Sequence, residues 1–468
     1  MADLRNHFQN LSDLKKNVYG YKCGCDCCWS RYNGLVTTFL LKEKGVNVLL
    51  IEKNTRAGGQ LCTVSDDGFL FESGPNTGVV ANKDVLDLFN QLGDECTLQT
   101  ARKESKVRLI WKNGRFCPLP SGLADAVTTP LFSWHDKIRI LFEPFRPKGN
   151  DPFESIASLT RRRLGKSFLN YAVDPFISGI YAGDPETLVT RFAMPKLYNL
   201  EHHYGSFIRG AIKRHPVLAE ERKQGISKEI FSVKGGFKNL VSTLETRITP
   251  KHLRLGAGKI QIEPVENGWK VVLPATGESY FTPRLISTVP AYALPELFPF
   301  IEEKELHPIT SLVYAPVVQV GVGMYNGSLI PQAFGGLVPS CEHEKILGVL
   351  FNSSCYDDRA PLGAASLSFF IGGMRHPEWV NLPEEEMVAI VTDALHRMLG
   401  YPLGTAPDKI HIFPHPRAIP QYQADTEQRL NTVCQLEKKY AGLVLAGSLR
   451  DGIGLADRIK QATQLASL

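Results

Sequence analysis

The segment VNVLLIE, residues 46–52, does most to narrow what this chain can become. A continuous apolar run of this length reads as a strand buried on both faces, the habit of parallel sheets. Just before it, LVTTFLLKEK carries apolar residues at helical spacing, and Gly45 supplies the stop. A helix feeding such a strand belongs to a βαβ unit. The strand ends in Glu52, where dinucleotide-binding units keep an acid for the ribose hydroxyls. Gly34 opens the helix 18 positions earlier, where the last glycine of a GxGxxG phosphate loop would stand.

Two glycine-rich stretches follow at once. RAGGQLCT contains Gly58 and Gly59, and FESGPNTG contains Gly74 and Pro75. Glycines permit close backbone approach to a large planar or phosphorylated ligand. Either stretch alone could be a tight turn; acid, diglycine and Gly-Pro in this order point together to a nucleotide cofactor.

The rest of the chain shows how that unit is completed. Helical segments such as DVLDLFNQLG, ESIASLTRRRLG and SFIRGAIKR run through much of residues 80–230. A β-rich phase follows, with GWKVVLP, RLISTVP, VVQVGVGMY and AASLSFFIGG, and then the helix EEEMVAIVTDALHRML. The chain closes on a strand–turn–helix, GLVLAGSLRDGIGLADRIKQATQLA. A chain that leaves a βα unit early and returns to a similar sheet at its end has other domains inserted into it. At 468 residues, two or three domains fit.

At this point the residues resemble a family. IEKNTRAGGQLCT and FESGPNTG look like the FAD-binding start of the flavin amine oxidase superfamily, and LAGSLRDGIGLADRI resembles its C-terminal flavin motif. The stretch 174–210, DPFISGIYAGDPETLVTRFAMPKLYNLEHHYGSFIRG, is similar to one typical of flavin-dependent protoporphyrinogen and coproporphyrinogen oxidases; FSVKGGFKNLVSTL and AIPQY agree. The resemblance implies FAD as cofactor, held by Gly34, Glu52, Lys53, Gly58, Gly59, Gly74, Pro75, Asn76, Thr77, Lys259, Gly447, Gly452, Ile453, Gly454 and Leu455. It implies oxidation of a porphyrinogen to a porphyrin, with oxygen as the expected acceptor. Arg108 matches a position where such oxidases set an arginine against a substrate propionate, a pairing that suits its planar fork. No side chain is assigned as a catalytic acid or base. The rival readings are a coproporphyrinogen oxidase, an inactive flavoprotein-like chain and, on the flavin motifs alone, an amine oxidase.

The expected class is α/β, with a Rossmann-like FAD-binding domain built from discontinuous segments, a mixed-sheet substrate domain and an inserted helical domain. The expected division is a polar N-terminal extension at 1–16 and an FAD-binding domain at 17–80, 230–290 and 420–468. The substrate domain takes 81–110 and 291–419, and the helical domain 111–229.

The resemblance fails at one place. KCGCDCCWSRYNGL, residues 22–35, stands where the family runs an apolar strand into GxGxxG, and it holds Cys23, Cys25, Cys27 and Cys28. Zinc sites want C-x₂-C pairs with matching partners, and CGCDCC has neither spacing nor partner. A redox thiol cluster would occupy the place of the cofactor's phosphates. A third reading comes from the genetic code. Starting one base later turns every Cys codon into Val or Ala, and Trp29 followed by a Ser30 codon of the AGY type becomes glycine. One allowed outcome is VVVIVVGAGITG, a strand and a GxGxxG ending on Gly34. The segment is therefore read as the product of two compensating single-base indels. Taken literally, its Cys, Trp and Tyr side chains would crowd a pyrophosphate and weaken FAD binding.

Composition bounds the remaining choices. A net charge of +5 spread along the chain, without a concentrated basic stripe, speaks against nucleic acid and suits an anionic small molecule or lipid surface. No apolar run reaches the length of a membrane span, and the N-terminus lacks a secretory h-region. The remaining cysteines stand singly, as in a reducing compartment. No metal-ligand spacing occurs around the twelve histidines. The expected setting is cytoplasmic, peripheral on a membrane through the helical domain, where RRR at 161–163 reads as a solvated basic face. A homodimer is also admitted.

Overall fold

The computed structural model describes residues 32–467 and, as backbone, residues 25–28. The expected extension at 1–16, and Cys23, Gly24 and residues 29–31 of the cysteine-rich segment, lie outside the described residues.

A five-stranded parallel sheet is assembled from distant parts of the chain. Its order is Leu253–Arg254, Val48–Ile51, Cys25–Cys28, Leu285–Ser287, Leu443–Leu445. Cys25–Cys28 pairs with Val48–Ile51 on one side and Leu285–Ser287 on the other, parallel to both. The cysteine-rich segment thus takes the central strand, where a family member has its apolar strand. In register, Asp26 lies opposite Leu49 and Leu285, both buried. The Tyr32–Glu43 helix crosses from this strand to Val48–Ile51 and is buried from Tyr32 to Leu41. One core, with Leu35, Val36, Phe39, Leu50, Leu244 and Ile459, lies on one side of the sheet. A second, with Leu49, Ile51, Leu285, Trp269 and Leu445, lies on the other.

A seven-stranded mixed sheet forms the second layer system. Tyr314–Met324, buried along its whole length, runs antiparallel to both Lys409–Pro420 and Ala365–Gly372. Gly348–Phe351, Gly335–Leu337, Arg108–Lys112 and Arg115–Pro118 complete it. The Glu384–Leu399 helix covers this sheet with Met387, Ile390, Val391, Ala394, Leu395 and Met398, a spacing of three and four residues that keeps one face apolar. The sheet takes in Arg115–Pro118, so it extends past the boundary expected at residue 110. The reason is the Asn113-Gly114 turn: both residues sit at positive φ, and the hairpin it closes keeps the two strands together.

The region from 123 to 223 is helical. Here Arg162 and Arg163 depart from the expected solvated face, while Arg161 stays exposed on it. Arg163 is fully buried and donates to Glu143 and Glu201, Arg162 binds Glu154 and Glu201, and Arg161 pairs with Glu186. Carboxylates from Glu143, Glu154 and Glu201 turn the last two arginines of a basic run into partly or fully buried ion pairs, which a one-dimensional charge pattern cannot reveal. The described cysteines outside the central strand are free thiols, and burial pushes those of Cys96 and Cys355 up to about 12, leaving them inert.

Candidate active site

The strand order of the parallel sheet reverses at Cys25–Cys28: the chain moves outward to one side first and fills the other side later. Ligands of open parallel sheets bind beyond the carboxyl ends of the strands at such a switch point. A cavity of about 380 Å³ lies there. Tyr32 and Asn33 reach it from the start of their helix, Thr288 follows the Leu285–Ser287 strand, and Gly447 and Ser448 follow Leu443–Leu445. Residues Gly58, Gln60 and Leu61, and the run from Gly74 to Thr77, add a wall. Ile453, Gly454, Leu455 and Arg458 add the start of the Leu455–Leu465 helix. The seven-stranded sheet adds Val317, Leu350 and Phe370, together with Gln319 and His415 that bond to the backbone leading into the Gly74 run, and the Asp174–Tyr181 helix adds Ser178, Gly179 and Ile180.

The glycines at this wall are required by shape. Gly58 has φ +87°, and a Cβ there would come within 2.6 Å of a Val241 methyl. A Cβ on Gly74 would collide with the Gln60 carbonyl oxygen. The segment between them is pinned from beneath. Gln319 Nε2 donates to the Glu72 carbonyl at 2.6 Å, and His415 Nε2 lies 2.5 Å from the Ser73 carbonyl. Asn76 Nδ2 donates to the Gly74 carbonyl, while Asn76 Oδ1 accepts from Ser368 at 2.9 Å. The Glu72 carboxylate accepts from the Phe237 amide and the Thr63 hydroxyl, and burial raises its pKa to about 7.

A second network joins the two ends of the domain. Gln461 Oε1 accepts from Asn33 Nδ2 at 2.7 Å, from the Gly447 amide at 2.8 Å and from Arg458 Nη1 at 3.2 Å. Arg458 also donates to the carbonyls of Asp451 and Gly452.

Of the residues anticipated from sequence, Gly58, Gly74, Pro75, Asn76, Thr77, Gly447, Ile453, Gly454 and Leu455 line the cavity. Gly34 is the third residue of the Tyr32–Glu43 helix, next to Asn33. Glu52 is buried at the end of its strand, with Oε1 accepting from the Asn54 amide. Lys53 forms an ion pair with Glu296, and Lys259 is exposed. Gly59 and Gly452 flank the lining without joining it. Arg108 is exposed on its strand, with its guanidinium 5.9 Å from the Phe334 ring centre, and it is not among the lining residues. Sequence reasoning passed over Tyr32, Asn33, Gln319, Phe370, His415 and Arg458. Ser178 to Ile180 and Ala418 to Pro420 carried a signal, since they fall in the stretches that resemble the porphyrinogen oxidases.

The donor set fits FAD. A dinucleotide needs a narrow glycine-walled approach, donors for its phosphates and an apolar seat for the flavin ring. The hydroxyls of Tyr32 and Ser448 are buried at the cavity without a hydrogen-bond partner among the described residues. Burial holds the Tyr32 phenol well above its ordinary pKa, so it stays a donor. The N-terminus of the Tyr32–Glu43 helix adds a positive dipole end. Among the described residues, no group of three His, Cys, Asp or Glu side chains is placed to hold a metal.

The family model for flavin containing amine oxidoreductases matches residues 33–452. The chain belongs to that family. It is an FAD-dependent oxidoreductase, and the match takes in the strands of both sheets apart from Cys25–Cys28. The mitochondrial protoporphyrinogen oxidase of Nicotiana tabacum is 29% identical to it, over 93% of this chain and 92% of that protein. Protoporphyrinogen oxidase of Homo sapiens is 29% identical over 90% of this chain and 92% of its own length. A solved structure from Exiguobacterium sp. 255-15 shares the fold of the oxidoreductase with a TM-score of 0.79 at 20% identity, covering 96% of this chain and 99% of the other. A reduced UDP-galactopyranose mutase shares it with a TM-score of 0.71 at 15% identity, covering 95% of each chain.

Proposed function

We propose that the chain oxidises protoporphyrinogen IX to protoporphyrin IX in heme biosynthesis, with oxygen as the terminal acceptor. The observation that carries this reading is the two-sided cavity. One wall is glycine-rich and carries the donors suited to FAD. The other, with Val317, Leu347, Leu350, Ile180 and Phe370, is apolar and suited to a large flat ring system. The named similarity to protoporphyrinogen oxidases from plants and mammals supports the same substrate class.

FAD supplies the hydride-accepting chemistry when bound. The chain's own residues hold the Glu72–Asn76 segment in place, Gln319 at Glu72, His415 at Ser73 and Ser368 at Asn76, and exclude water with the apolar lining. Arg108, exposed on the strand next to the edge of the sheet and outside the cavity lining, is assigned to a substrate carboxylate. Coproporphyrinogen, the alternative, carries four carboxylates. Among the described residues the lining includes one permanent cation, Arg458, which favours the substrate with two. Anaerobic bleaching of the bound flavin by protoporphyrinogen tests the reading, and an unchanged flavin spectrum sinks it.

The proposed setting is cytoplasmic, with peripheral contact to an anionic membrane. Its support is an apolar stripe on and after the Trp134–Leu141 helix, not the RRR segment. Trp134, Ile138, Leu141, Phe142 and Phe145 are exposed, Phe145 by 77%, and Lys137, Arg139 and Arg146 accompany them. Among the described residues, no helix is long and apolar enough to cross a membrane. Sedimentation with anionic liposomes at low salt tests the contact; a protein that stays in the supernatant argues against it.

A further inference from the structure

We propose that His415 accepts the proton the substrate must lose as its hydride passes to the flavin. The proposal rests on the porphyrinogen reading above and names a proton acceptor for it.

Position is the first argument. His415 lines the same cavity as the Gly74–Thr77 run and the apolar wall of Leu350 and Phe370. It sits opposite Val317 in the strand register, and Val317 and Gln319 line the cavity with it. Tautomer is the second. A carbonyl oxygen only accepts, so the nitrogen facing Ser73 must carry the hydrogen. Nδ1 is then the bare nitrogen. It has no hydrogen-bond partner among the described residues and is not sealed off by them. An imidazole anchored through Nε2 and open at Nδ1 is built as a base.

The electrostatics keep that base neutral. Burial lowers the pKa of His415 below its ordinary 6.5. The groups packed around it add little charge. The Glu72 carboxylate points to Thr63 and Phe237, Tyr181 is bonded to the Ala193 carbonyl, and Tyr314 accepts from the Ala291 amide. On its own strand, His411 pairs with Asp66 and Arg417 lies over Tyr292. Arg458 is the permanently charged side chain that shares the lining among the described residues, and it is bonded to Gln461 and to the carbonyls of Asp451 and Gly452.

The step balances. A bridging CH₂ carbon gives up hydride to the flavin, and an adjacent pyrrole nitrogen gives its proton to His415 Nδ1. One new double bond forms in the substrate, which has lost two electrons and two hydrogens. The imidazolium matches the negative charge gained by the flavin and passes its proton to water before the next round.

The test uses the FAD-loaded full chain and His415→Gln, whose side-chain amide can still donate to the Ser73 carbonyl but cannot act as a base. Flavin bleaching by protoporphyrinogen, followed anaerobically across pH, should slow about 100-fold or more in His415→Gln and lose its acidic limb, while FAD affinity stays within about twofold. Nitrogen-15 NMR of the wild-type imidazole should show the Nε2–H tautomer, titrating at the midpoint of that limb. An Nδ1–H tautomer, or a variant with the wild-type rate and limb, overturns the proposal. So does a variant that loses FAD in step with rate, since that marks a positioning residue. A wild type whose flavin is not bleached at any pH overturns the porphyrinogen reading itself, a result distinct from failure of the variant comparison alone.

Discussion

Asn33 and Gln461, 428 positions apart in the chain, are joined side chain to side chain by a hydrogen bond of 2.7 Å. Both are buried, and the same Gln461 oxygen takes the Gly447 amide and Arg458. The helix that leaves the first strand is thereby fastened to the helix that ends the chain. Gln461→Leu removes an acceptor shared by three donors, of which Asn33 Nδ2 keeps the Arg458 carbonyl, and a stranded buried donor costs about 1–3 kcal/mol. Urea unfolding should show a loss of about 2 kcal/mol, and a double-mutant cycle with Asn33→Ala should show coupling. Additive effects in that cycle would contradict the account.

Gly74 is held against the Gln60 carbonyl so closely that a methyl group has nowhere to go. Gly74→Ala should push the cavity wall inward and reduce the flavin retained on purification, read as the ratio of flavin to protein absorbance. Because Asn76 and Gln319 hold the segment on its other side, the loss should exceed any drop in unfolding temperature. Full flavin content in this variant would place the cofactor elsewhere.

Glu72 gives a pH dependence with a definite sign. Its pKa rises from 4.5 to about 7 because burial disfavours the carboxylate. Folding therefore favours the protonated acid. That contribution is complete below about 4.5 and lost as pH climbs through about 7, by about 3 kcal/mol at most. Wild-type stability should fall relative to Glu72→Gln between about pH 5 and about pH 8. Parallel stability curves for the two proteins would remove Glu72 as the cause.

The cysteine-rich segment makes its own prediction. If residues 23–33 are an out-of-frame reading of a strand and glycine loop, placing VVVIVVGAG at 23–31, which completes GxGxxG with Gly34 and keeps Tyr32 and Asn33, should tighten FAD binding. An apolar residue would then stand at position 26, opposite Leu49 and Leu285. Fluorescence titration with FAD measures the change. Equal affinity in both proteins would mean that the literal segment is a working phosphate loop, and reading the gene again settles whether the indels are real.

The parallel sheet was legible because VNVLLIE, RLISTVP and GLVLAGS are short apolar runs that mean the same thing in any context, and because Glu52 and the glycines mark the cofactor side. The seven-stranded sheet was equally open in VVQVGVGMY and AASLSFFIGG. What stayed hidden depends on partners far away in sequence. Nothing near Arg163 announces that Glu143 and Glu201 will bury it, and nothing near His415 announces Ser73. Arg108, singled out by resemblance, is found beside Phe334 and outside the lining, since a strand position fixes which face a residue occupies but not how far a cavity extends. The exposed stripe from Trp134 to Phe145 required three dimensions for the same reason: its members read as ordinary core until the helix is seen to face solvent.

The central claim is flavin-dependent oxidation of a porphyrinogen, and one measurement meets it directly. Full-length protein loaded with FAD is mixed without oxygen with protoporphyrinogen IX, and the flavin band at about 450 nm is followed alongside porphyrin fluorescence. The account predicts that the band bleaches as fluorescence appears, and that admitting oxygen restores it. A flavin band that persists while protoporphyrinogen remains unoxidised would contradict the account.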